Sequence, residues 1–468
     1  MEPATGAFYA AENFLSGAAA LIKGIAHPTL PLKATLTHIT SAPLPRAHHT
    51  VSVVTGRAYI FGGESSPGAL TDNDMHIVIL PSSGVLEADY TSVKARPQYA
   101  GGAVPAPRKG HTSVVIGEDI YIYGGEGQGV GDEKGRVWVF QTLTHTWGHL
   151  DPAPESLLPI PRAGHASVSS ALPGPKDVTF NEKAPQQPAD PANVVPEPAE
   201  HDSWGSIFVV GGKDFRTGDL LKEALVFNLK TRSWSKIPTP SGDSLEGISL
   251  GLVGDRLYRF GGKTKGSATA TTEYLNVSAV WTNAEDGTDA LASGSGWTWK
   301  DASPSGIHPT STSSKEASTA PSVLKTPSPR FSAGLTPLTT GQGRHYFLLL
   351  GGSSPAPSSN ITLLDDIWAF QLLPEKGSAA ATKDDIRGAL KRNTHEGMWG
   401  EVSYKYIDGK GEEEKRGDEE RGIKGVGPRE GFAVARGSEV DGCSVVVWGG
   451  RDAEGRVLGD GWLITVER

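Results

Sequence analysis

The chain has 468 residues, with 59 glycines and 33 prolines, a composition typical of many short strands joined by tight turns. Its 44 Lys and Arg against 53 Asp and Glu give a formal charge of −9, which argues against nucleic acid or an anionic membrane as the main partner, because those surfaces attract basic proteins. The single cysteine, Cys443, excludes an internal disulfide and predicts a cytoplasmic protein, with the nucleus as the alternative. We expect Cys443 to be a small buried side chain rather than a reactive thiol.

Residues 1–33 are predicted to be an N-terminal helix and a linker. Apolar residues from Phe14 to Ile25 fall on one stripe at spacings of three and four, which indicates a helix over residues 1–27. The segment has two Glu and no Arg, which argues against a mitochondrial presequence. Its apolar stretch is interrupted and too short to span a bilayer, so no membrane partner is expected.

Six short apolar strands further along the chain each end in a pair of glycines. The pairs are Gly62-Gly63, Gly124-Gly125, Gly211-Gly212, Gly261-Gly262, Gly351-Gly352 and Gly449-Gly450. Repetition over most of the chain predicts one array of repeats rather than several unlike domains.

Each repeat has further shared residues around its glycine pair. A Pro-Arg pair precedes the first apolar strand in five repeats, whereas the fourth repeat has Leu245-Glu246-Gly247-Ile248 there. A third strand with an aromatic residue follows the glycines, as in Val137-Trp138-Val139-Phe140, and a fourth strand begins at a tryptophan such as Trp147. Each repeat is therefore predicted to be a sheet of four short antiparallel strands.

These motifs resemble the repeats of kelch proteins, in which a glycine pair follows the second strand and spaced aromatic residues come next. The resemblance covers about residues 34–468 and implies an all-β fold, a six-bladed β-propeller of the kelch and galactose oxidase type. The sixth repeat ends after its third strand, Leu463-Ile464-Thr465-Val466, whereas the strand-like Ala34–Ile39 precedes the first Pro-Arg pair. We expect this N-terminal strand to complete the last blade and close a monomeric ring.

Four insertions separate the predicted strands. They are residues 173–203, 300–328, 374–397 and 405–427, which are rich in Pro, Ala, Ser, Thr or charged residues. This composition predicts largely disordered loops. In a four-stranded blade, the loop before strand one and the loop between strands two and three emerge on the same face. The second and fourth insertions are expected on that face, and the other two on the opposite face.

The same geometry places two sets of side chains around one mouth of the central channel. They are the Pro-Arg arginines Arg46, Arg108, Arg162, Arg330 and Arg429, and the residues after the glycines, Glu64, Glu126, Lys213, Lys263, Ser353 and Arg451. Charged side chains in loops on a rigid scaffold are candidates for binding a partner. For the arginines the alternative is structural: a charged residue in five of six repeats is expected to hold neighbouring blades together. His48, His111 and His165 also recur, and we expect them to bond turn carbonyls rather than a metal.

Known activities on this fold were considered for the mouth. Galactose oxidase uses copper and a Tyr–Cys cross-link, and no matching Tyr and His set accompanies Cys443. Plant kelch specifier proteins bind iron through Glu-x-x-x-Asp-x-x-x-His, of which only Asp72 and His76 are present. Kelch-type sugar mutarotases need acid–base residues in the mouth, for which Glu64 and Glu126 are candidates, with Arg108 holding a substrate hydroxyl or carboxylate. No phosphate-binding glycine motif occurs, and we predict no cofactor and no metal.

The favoured hypothesis is a non-catalytic protein-interaction scaffold that binds a protein partner, not nucleic acid, through the mouth face. The alternative is a small-molecule enzyme on the same fold, either a sugar mutarotase-like isomerase or an iron-dependent specifier-type lyase.

Overall fold

The computed structural model describes residues 28–39, 44–80, 89–174, 204–242, 246–264, 266–277, 297–302, 326–341, 343–355, 361–407, 413–414, 425–437 and 443–467. Within these residues, five sheets of four strands and one of six follow one another along the chain. The first strands of neighbouring sheets contact each other around a central channel. The molecule is an all-β, six-bladed propeller, as predicted.

Each blade has four antiparallel strands from the channel outward. They are Thr50–Val54, Arg57–Phe61, Met75–Ile79 and Tyr90–Val93 in blade one; Thr112–Ile116, Asp119–Tyr123, Val137–Gln141 and Thr146–Leu150 in blade two; Ala166–Ser170, Ser206–Val210, Ala224–Asn228 and Ser233–Ile237 in blade three; Ser249–Val253, Arg256–Phe260, Thr272–Asn276 and Lys300–Asp301 in blade four; Gly334–Gly341, Arg344–Pro355, Ile361–Gln371 and Trp399–Glu401 in blade five; and Ala433–Arg436, Ser444–Arg451, Val457–Val466 and Lys33–His38 in blade six. Short additional elements are Glu64–Ser66, Ala69–Leu70, Arg162–Ala163, Lys213–Asp214, Ser403–Ile407, Glu413–Glu414 and the 3-10 turn Val130–Asp132.

The glycine pairs mark the places where blades meet. Gly62 and Gly63 have φ angles of 65° and 92°. A Cβ at Gly62 would lie 2.5 Å from the carbonyl oxygen of Arg108 and 2.7 Å from Cε1 of His111, both in the next blade. The positive φ and the close approach together require glycine here.

The N-terminal strand Lys33–His38 lies inside the sixth sheet. It pairs antiparallel with Val457–Val466, with Leu36 opposite Ile464, and forms the predicted link between the two ends of the chain. On its other side it pairs parallel with Ser403–Ile407, which leaves the strand flanked by neighbours on both edges. Such pairing removes an open sheet edge where the ring closes.

Two predicted disordered loops contain regular structure. The insertion predicted over residues 405–427 begins within the strand Ser403–Ile407, because the backbone there pairs with the exposed edge of the N-terminal strand. The insertion predicted over residues 374–397 contains the α-helix Ala379–Ala389 on the opposite face from the mouth. The Ser378 side chain accepts a hydrogen bond from the Ala381 amide and caps this helix. Its Asp384 is buried in ion pairs with Arg344 and Arg387, both at 2.6 Å.

Most of the other predicted segments cannot be compared with the structure. The helix predicted over residues 1–27 and the bulk of the loops 173–203 and 300–328 lie outside the described residues. Cys443 is buried, as predicted. Among the described residues, no helix combines the length and apolar character needed to cross a lipid bilayer.

A collar of backbone hydrogen bonds lines the channel. It is formed by one residue per blade, each with positive φ: His48, Gly110, Gly164, Gly247, Ser332 and Gly431. Each amide from His48 to Ser332 donates to the carbonyl of the preceding blade, with His48 donating to Gly431, at N···O distances of 2.6–3.3 Å. The collar fixes the spacing of the loops above it.

The seam between blades five and six differs from the others. At four other seams the amide of the second glycine donates to the carbonyl of the next blade's Pro-Arg arginine, as from Gly63 to Arg108 at 2.8 Å. For the described residues of blades five and six, neither this bond, from Gly352 to Arg429, nor the collar bond from Gly431 is present. This seam therefore relies on side-chain packing near the channel and on strand pairing at its outer edge.

Candidate functional site

The five Pro-Arg arginines lie within the blades and not on the rim of the channel. All are at most 3% exposed. Each guanidinium donates to the carbonyl of the first glycine of its own blade, at 2.8–3.2 Å. Each also pairs with a carboxylate near the start of the third strand: Arg46 with Asp72, Arg108 with Glu133, Arg162 with Glu223, Arg330 with Asp366 and Arg429 with Asp460. Their predicted place among the rim residues is wrong. A buried guanidinium must be paired, and the carboxylates that pair with these arginines lie inside the blades.

The structural role expected for these arginines is divided between side chain and backbone. The side chain binds within its own blade, whereas in four of the five, all but Arg429, the backbone carbonyl accepts a bond from the preceding blade. The link between blades is thus made by the peptide group and not by the side-chain charge.

Blade four reaches the same arrangement from another position. Leu245 stands in the sequence where the other repeats have arginine. Arg259, on the second strand, is 2% exposed and pairs with Glu273 of the third strand at 2.8 Å. It also donates to the carbonyl of Gly261 at 3.3 Å. The departure of this repeat from the pattern is therefore compensated within the blade.

Asp72 and His76, the candidate iron ligands, belong to the buried arginine network of blade one. Asp72 Oδ1 lies 3.1 Å from His76 Nε2 and accepts a hydrogen bond from Arg46 Nη2 at 3.1 Å. The same Arg46 nitrogen contacts His76 Nε2. A guanidinium thus occupies the place between the two side chains where a cation would have to bind. No cluster of three or more His, Cys, Asp or Glu side chains suited to a metal ion occurs in the part of the chain that the structure describes.

The recurring histidines follow a different register from the predicted one. His49, His111 and His165 are equivalent, and each packs against the first glycine of the preceding blade. Hydrogen bonds join His111 Nε2 to Thr50 Oγ1 and His165 Nε2 to Thr112 Oγ1, at 3.0 and 2.8 Å. His48 instead occupies the collar, where four blades have glycine.

The channel mouth is built from two residues per blade that pair with each other above the collar. The pairs are Ala47 with Glu64, Lys109 with Glu126, Ala163 with Lys213, Glu246 with Lys263, Phe331 with Ser353 and Glu430 with Arg451. We call these twelve residues the mouth ring. The sequence predicted the second member of each pair, and missed Lys109, Glu246 and Glu430, which follow the Pro-Arg position by one residue and would have been found by the same counting.

Ion pairs run along the mouth ring. Lys109 contacts Glu64 at 2.7 Å and Glu126 at 3.4 Å, and Glu246 contacts Lys263 at 3.4 Å and Lys213 at 3.8 Å. Arg451 pairs with Glu430 at 3.1 Å and lies 3.9 Å from Glu64.

The surroundings of Glu64 and of the neighbouring His48 determine whether each side chain is charged near pH 7. Burial raises the pKa of Glu64, but hydrogen bonds from Lys109 and the Gly68 amide outweigh it and leave the pKa below its ordinary value. Burial lowers the pKa of the neighbouring His48, and the nearby Glu64 only partly opposes this. Glu64 is therefore charged and His48 neutral near pH 7.

Two cavities lie on either side of the collar. The mouth cavity, of about 300 Å³, is lined by charged residues including Glu64, Glu126, Lys213 and Arg451. The inner cavity, of about 260 Å³, is lined by small and apolar residues and by four histidines, His48, His49, His111 and His165. Charged chemistry within the channel is thus concentrated at the mouth.

Comparison with family models agrees with this architecture. Two family models match the chain: the KLHDC2/KLHL20/DRC7 Kelch-repeats domain over residues 32–171 and the Kelch motif over residues 205–241. Among solved structures, YjhT aligns with 92% of this chain and 99% of its own, at 16% identity and a TM-score of 0.49.

Curated relatives resemble parts of the chain. It is 28% identical to acyl-CoA-binding domain-containing protein 4 of Arabidopsis thaliana over 228 residues, which are 47% of this chain and 27% of that protein. It is 30% identical to host cell factor 1 of Rattus norvegicus over 141 residues, 27% of this chain and 6% of that protein. It is 27% identical to N-(sulfonatooxy)prop-2-enimidothioate sulfolyase of Thlaspi arvense over 128 residues, 27% of this chain and 33% of that protein. The chain thus spans at most a third of the length of these three relatives.

Proposed function

We propose that this kelch-repeat β-propeller is a non-catalytic scaffold that binds a protein partner through its mouth ring. The observation that supports the proposal is a contrast between two sets of residues that lie close together in each repeat. The buried arginine–carboxylate pair is made in all six blades, whereas the mouth ring differs in charge from blade to blade. Varied, partly exposed charges on a rigid support are suited to recognition.

The collar supports this proposal further. Backbone bonds between neighbouring blades hold the mouth loops in place before a partner arrives. A preorganised surface loses little conformational entropy on binding, which favours affinity. The relatives have unlike names and match this chain over only part of their own length, as expected if the propeller is a module used beside different activities.

A catalytic role has weaker support. Arg108, the candidate for holding a substrate, is fully buried and bound to Glu133. Glu64, one of the two candidate acid–base groups, is 2% exposed and bound to Lys109 at 2.7 Å. The similarity to the sulfolyase favours testing a lyase, but Arg46 binds both Asp72 and His76, the two residues that match part of the iron motif.

Proximity labelling in cells tests the proposal. The mouth variant carries alanine at Glu126, Glu430, Lys213 and Lys263, which removes two charges of each sign. The matched control carries alanine at Asp255, Asp385, Lys376 and Lys391, four exposed charges on the opposite face. Both variants keep the net charge of −9.

We expect proteins labelled by the wild type to be lost from the mouth variant and kept by the control, with unfolding temperatures of all three proteins alike. Identical labelling by wild type and mouth variant would remove the mouth ring as the interface. Stoichiometric iron in the purified protein, or accelerated sugar-anomer exchange that is lost in Glu126→Gln, would favour the enzyme instead.

A further inference from the structure

We infer that the mouth ring is electrically polarised and selects a partner segment that carries both signs of charge, with acidic and basic side chains at separate positions. This inference rests on the proposed function and names the chemistry of the partner. It follows from where the charges of the ring lie, and from which of them are exposed.

The charges divide into two sides of the channel. Blades six, one and two supply three acids, Glu430, Glu64 and Glu126, and two bases, Arg451 and Lys109, for a net charge of −1. Blades three and four supply Lys213, Lys263 and the single acid Glu246, for a net charge of +1. Blade one stands opposite blade four in a ring of six, so the two net charges face each other across the mouth.

Exposure strengthens this division. On the negative side the exposed ends are acids, Glu126 at 33% and Glu430 at 30%, because the bases are drawn toward the buried Glu64. On the positive side the exposed ends are bases, Lys213 at 38% and Lys263 at 35%, and the acid between them is less exposed. A partner therefore meets carboxylates at blades two and six and ammonium groups at blades three and four.

Blade five completes the ring without a charge. Its two members are Phe331 and Ser353, and the Lys263 ammonium lies 4.6 Å from the centre of the Phe331 ring. This cation–π contact holds Lys263 on the positive side of the mouth. The neutral blade keeps the two charged sides apart along that arc of the ring.

The partner chemistry follows from complementarity. A polyanion such as nucleic acid would meet the exposed acids of blades two and six, and a polycation would meet the exposed lysines. A protein segment with basic residues toward blades two and six and acidic residues toward blades three and four satisfies both sides. The mouth cavity, at about 300 Å³, admits a few side chains rather than a folded domain.

A phage-displayed library of random twelve-residue peptides tests the inference. It is selected on the wild-type chain, on Lys213→Glu/Lys263→Glu and on Glu126→Lys/Glu430→Lys, after counter-selection on the quadruple mouth variant with alanine at these positions. Wild type is expected to enrich peptides with acidic and basic residues in separate clusters. The first variant is expected to enrich basic peptides, and the second acidic peptides. Affinity of a selected mixed peptide, measured by fluorescence anisotropy, should fall at least about tenfold for either variant, because each reversal places two like charges against the peptide.

The outcomes separate the inference from the proposed function. Peptides of a single sign on the wild type, or the same peptides on all three proteins, would overturn the polarised mouth while leaving the mouth ring as an interface. The absence of any peptide that depends on the mouth residues would count against both. Matching unfolding temperatures for the variants exclude misfolding as the cause, and a variant that fails this check is replaced by the single substitutions Lys213→Glu or Glu126→Lys.

Discussion

Replacing Arg259 with methionine tests whether this residue takes over the structural role of the missing arginine in blade four. The substitution keeps most of the side-chain volume but removes the guanidinium, leaving Glu273 without its 2.8 Å partner. Glu273 is 9% exposed and so has little access to water. The Ser241 hydroxyl continues to donate to it, which compensates part of the loss.

The expected destabilisation can be estimated from this geometry. Removing one member of a buried ion pair costs about 3–5 kcal/mol, and the remaining Ser241 bond places Arg259→Met near the lower end, at about 3 kcal/mol. Unfolding entropy of about 2.1 cal/mol/K per residue gives about 1 kcal/mol/K for a chain of 468 residues. We therefore expect the unfolding temperature to fall by about 3 °C.

Differential scanning calorimetry of three further variants completes this test. Arg162→Met is the matched control, because Glu223 is 27% exposed and also pairs with Lys236 at 3.1 Å, and its loss should be smaller. Adding Glu273→Leu to Arg259→Met removes the unpaired charge and should recover at least half of the loss. Leu245→Arg in the same background restores the arginine position of the other repeats and should also recover stability. An unfolding temperature for Arg259→Met within about 1 °C of wild type would refute the reasoning.

Three further predictions concern closure, the seam and pH. Deleting residues 1–40 removes Leu30, Leu32 and Leu36 from the core, about 6 kcal/mol at about 2 kcal/mol each, so calorimetry should show a fall of about 6 °C; an unchanged transition would contradict closure by the N-terminal strand. Hydrogen exchange should be at least about tenfold faster at the Gly431 amide than at Gly110 and Gly164, which donate within the collar, and equal rates would show that the seam is as closed as its neighbours. Burial, with a contribution from Arg46, lowers the pKa of His49 to about 3, so below pH 6.5 the unfolded chain binds a proton that the folded chain does not, and stability falls as pH decreases toward 3. His49→Phe should remove this loss and gain about 2 kcal/mol relative to wild type between pH 6 and 4.5 in urea unfolding, whereas parallel curves would show that His49 does not titrate this way.

The propeller could be predicted because its signals are local and repeated. A short apolar strand ending in two glycines is visible at each copy, and six copies identify the blades. The carboxylate partners of the buried arginines could not be found this way. They follow the arginine by 26 residues in blade one and 61 in blade three, because loops of different length intervene, and by 14 in blade four, where the arginine itself lies on the second strand. Only the folded sheet brings them to one place.

Side-chain direction accounts for the other errors. Counting from Pro-Arg placed the arginines near the mouth, but it did not indicate that they turn inward to the glycine carbonyl. His48 and His49 are adjacent, and only the backbone distinguishes them, since His48 has a φ of 56° and belongs to the collar.

The helix Ala379–Ala389 was missed for a different reason. Its charged residues suggested a loop, although Ser378 provides a good N-cap.

The charged residues of the mouth ring differ in how much they contribute to the stability of the fold, and this decides which of them can be replaced to study binding. Partly exposed ion pairs of the kind formed by Glu126, Glu430, Lys213 and Lys263 contribute about 0–1 kcal/mol each, so replacing them should leave the fold nearly as stable as before. Glu64 is different, because it is 2% exposed and accepts bonds from Lys109 and the Gly68 amide. A substitution there would remove the acceptor of both bonds and would confuse loss of binding with loss of structure. The four exposed charges can therefore report on recognition alone, and a loss of partner in their variants would reflect the chemistry of the mouth rather than the stability of the ring.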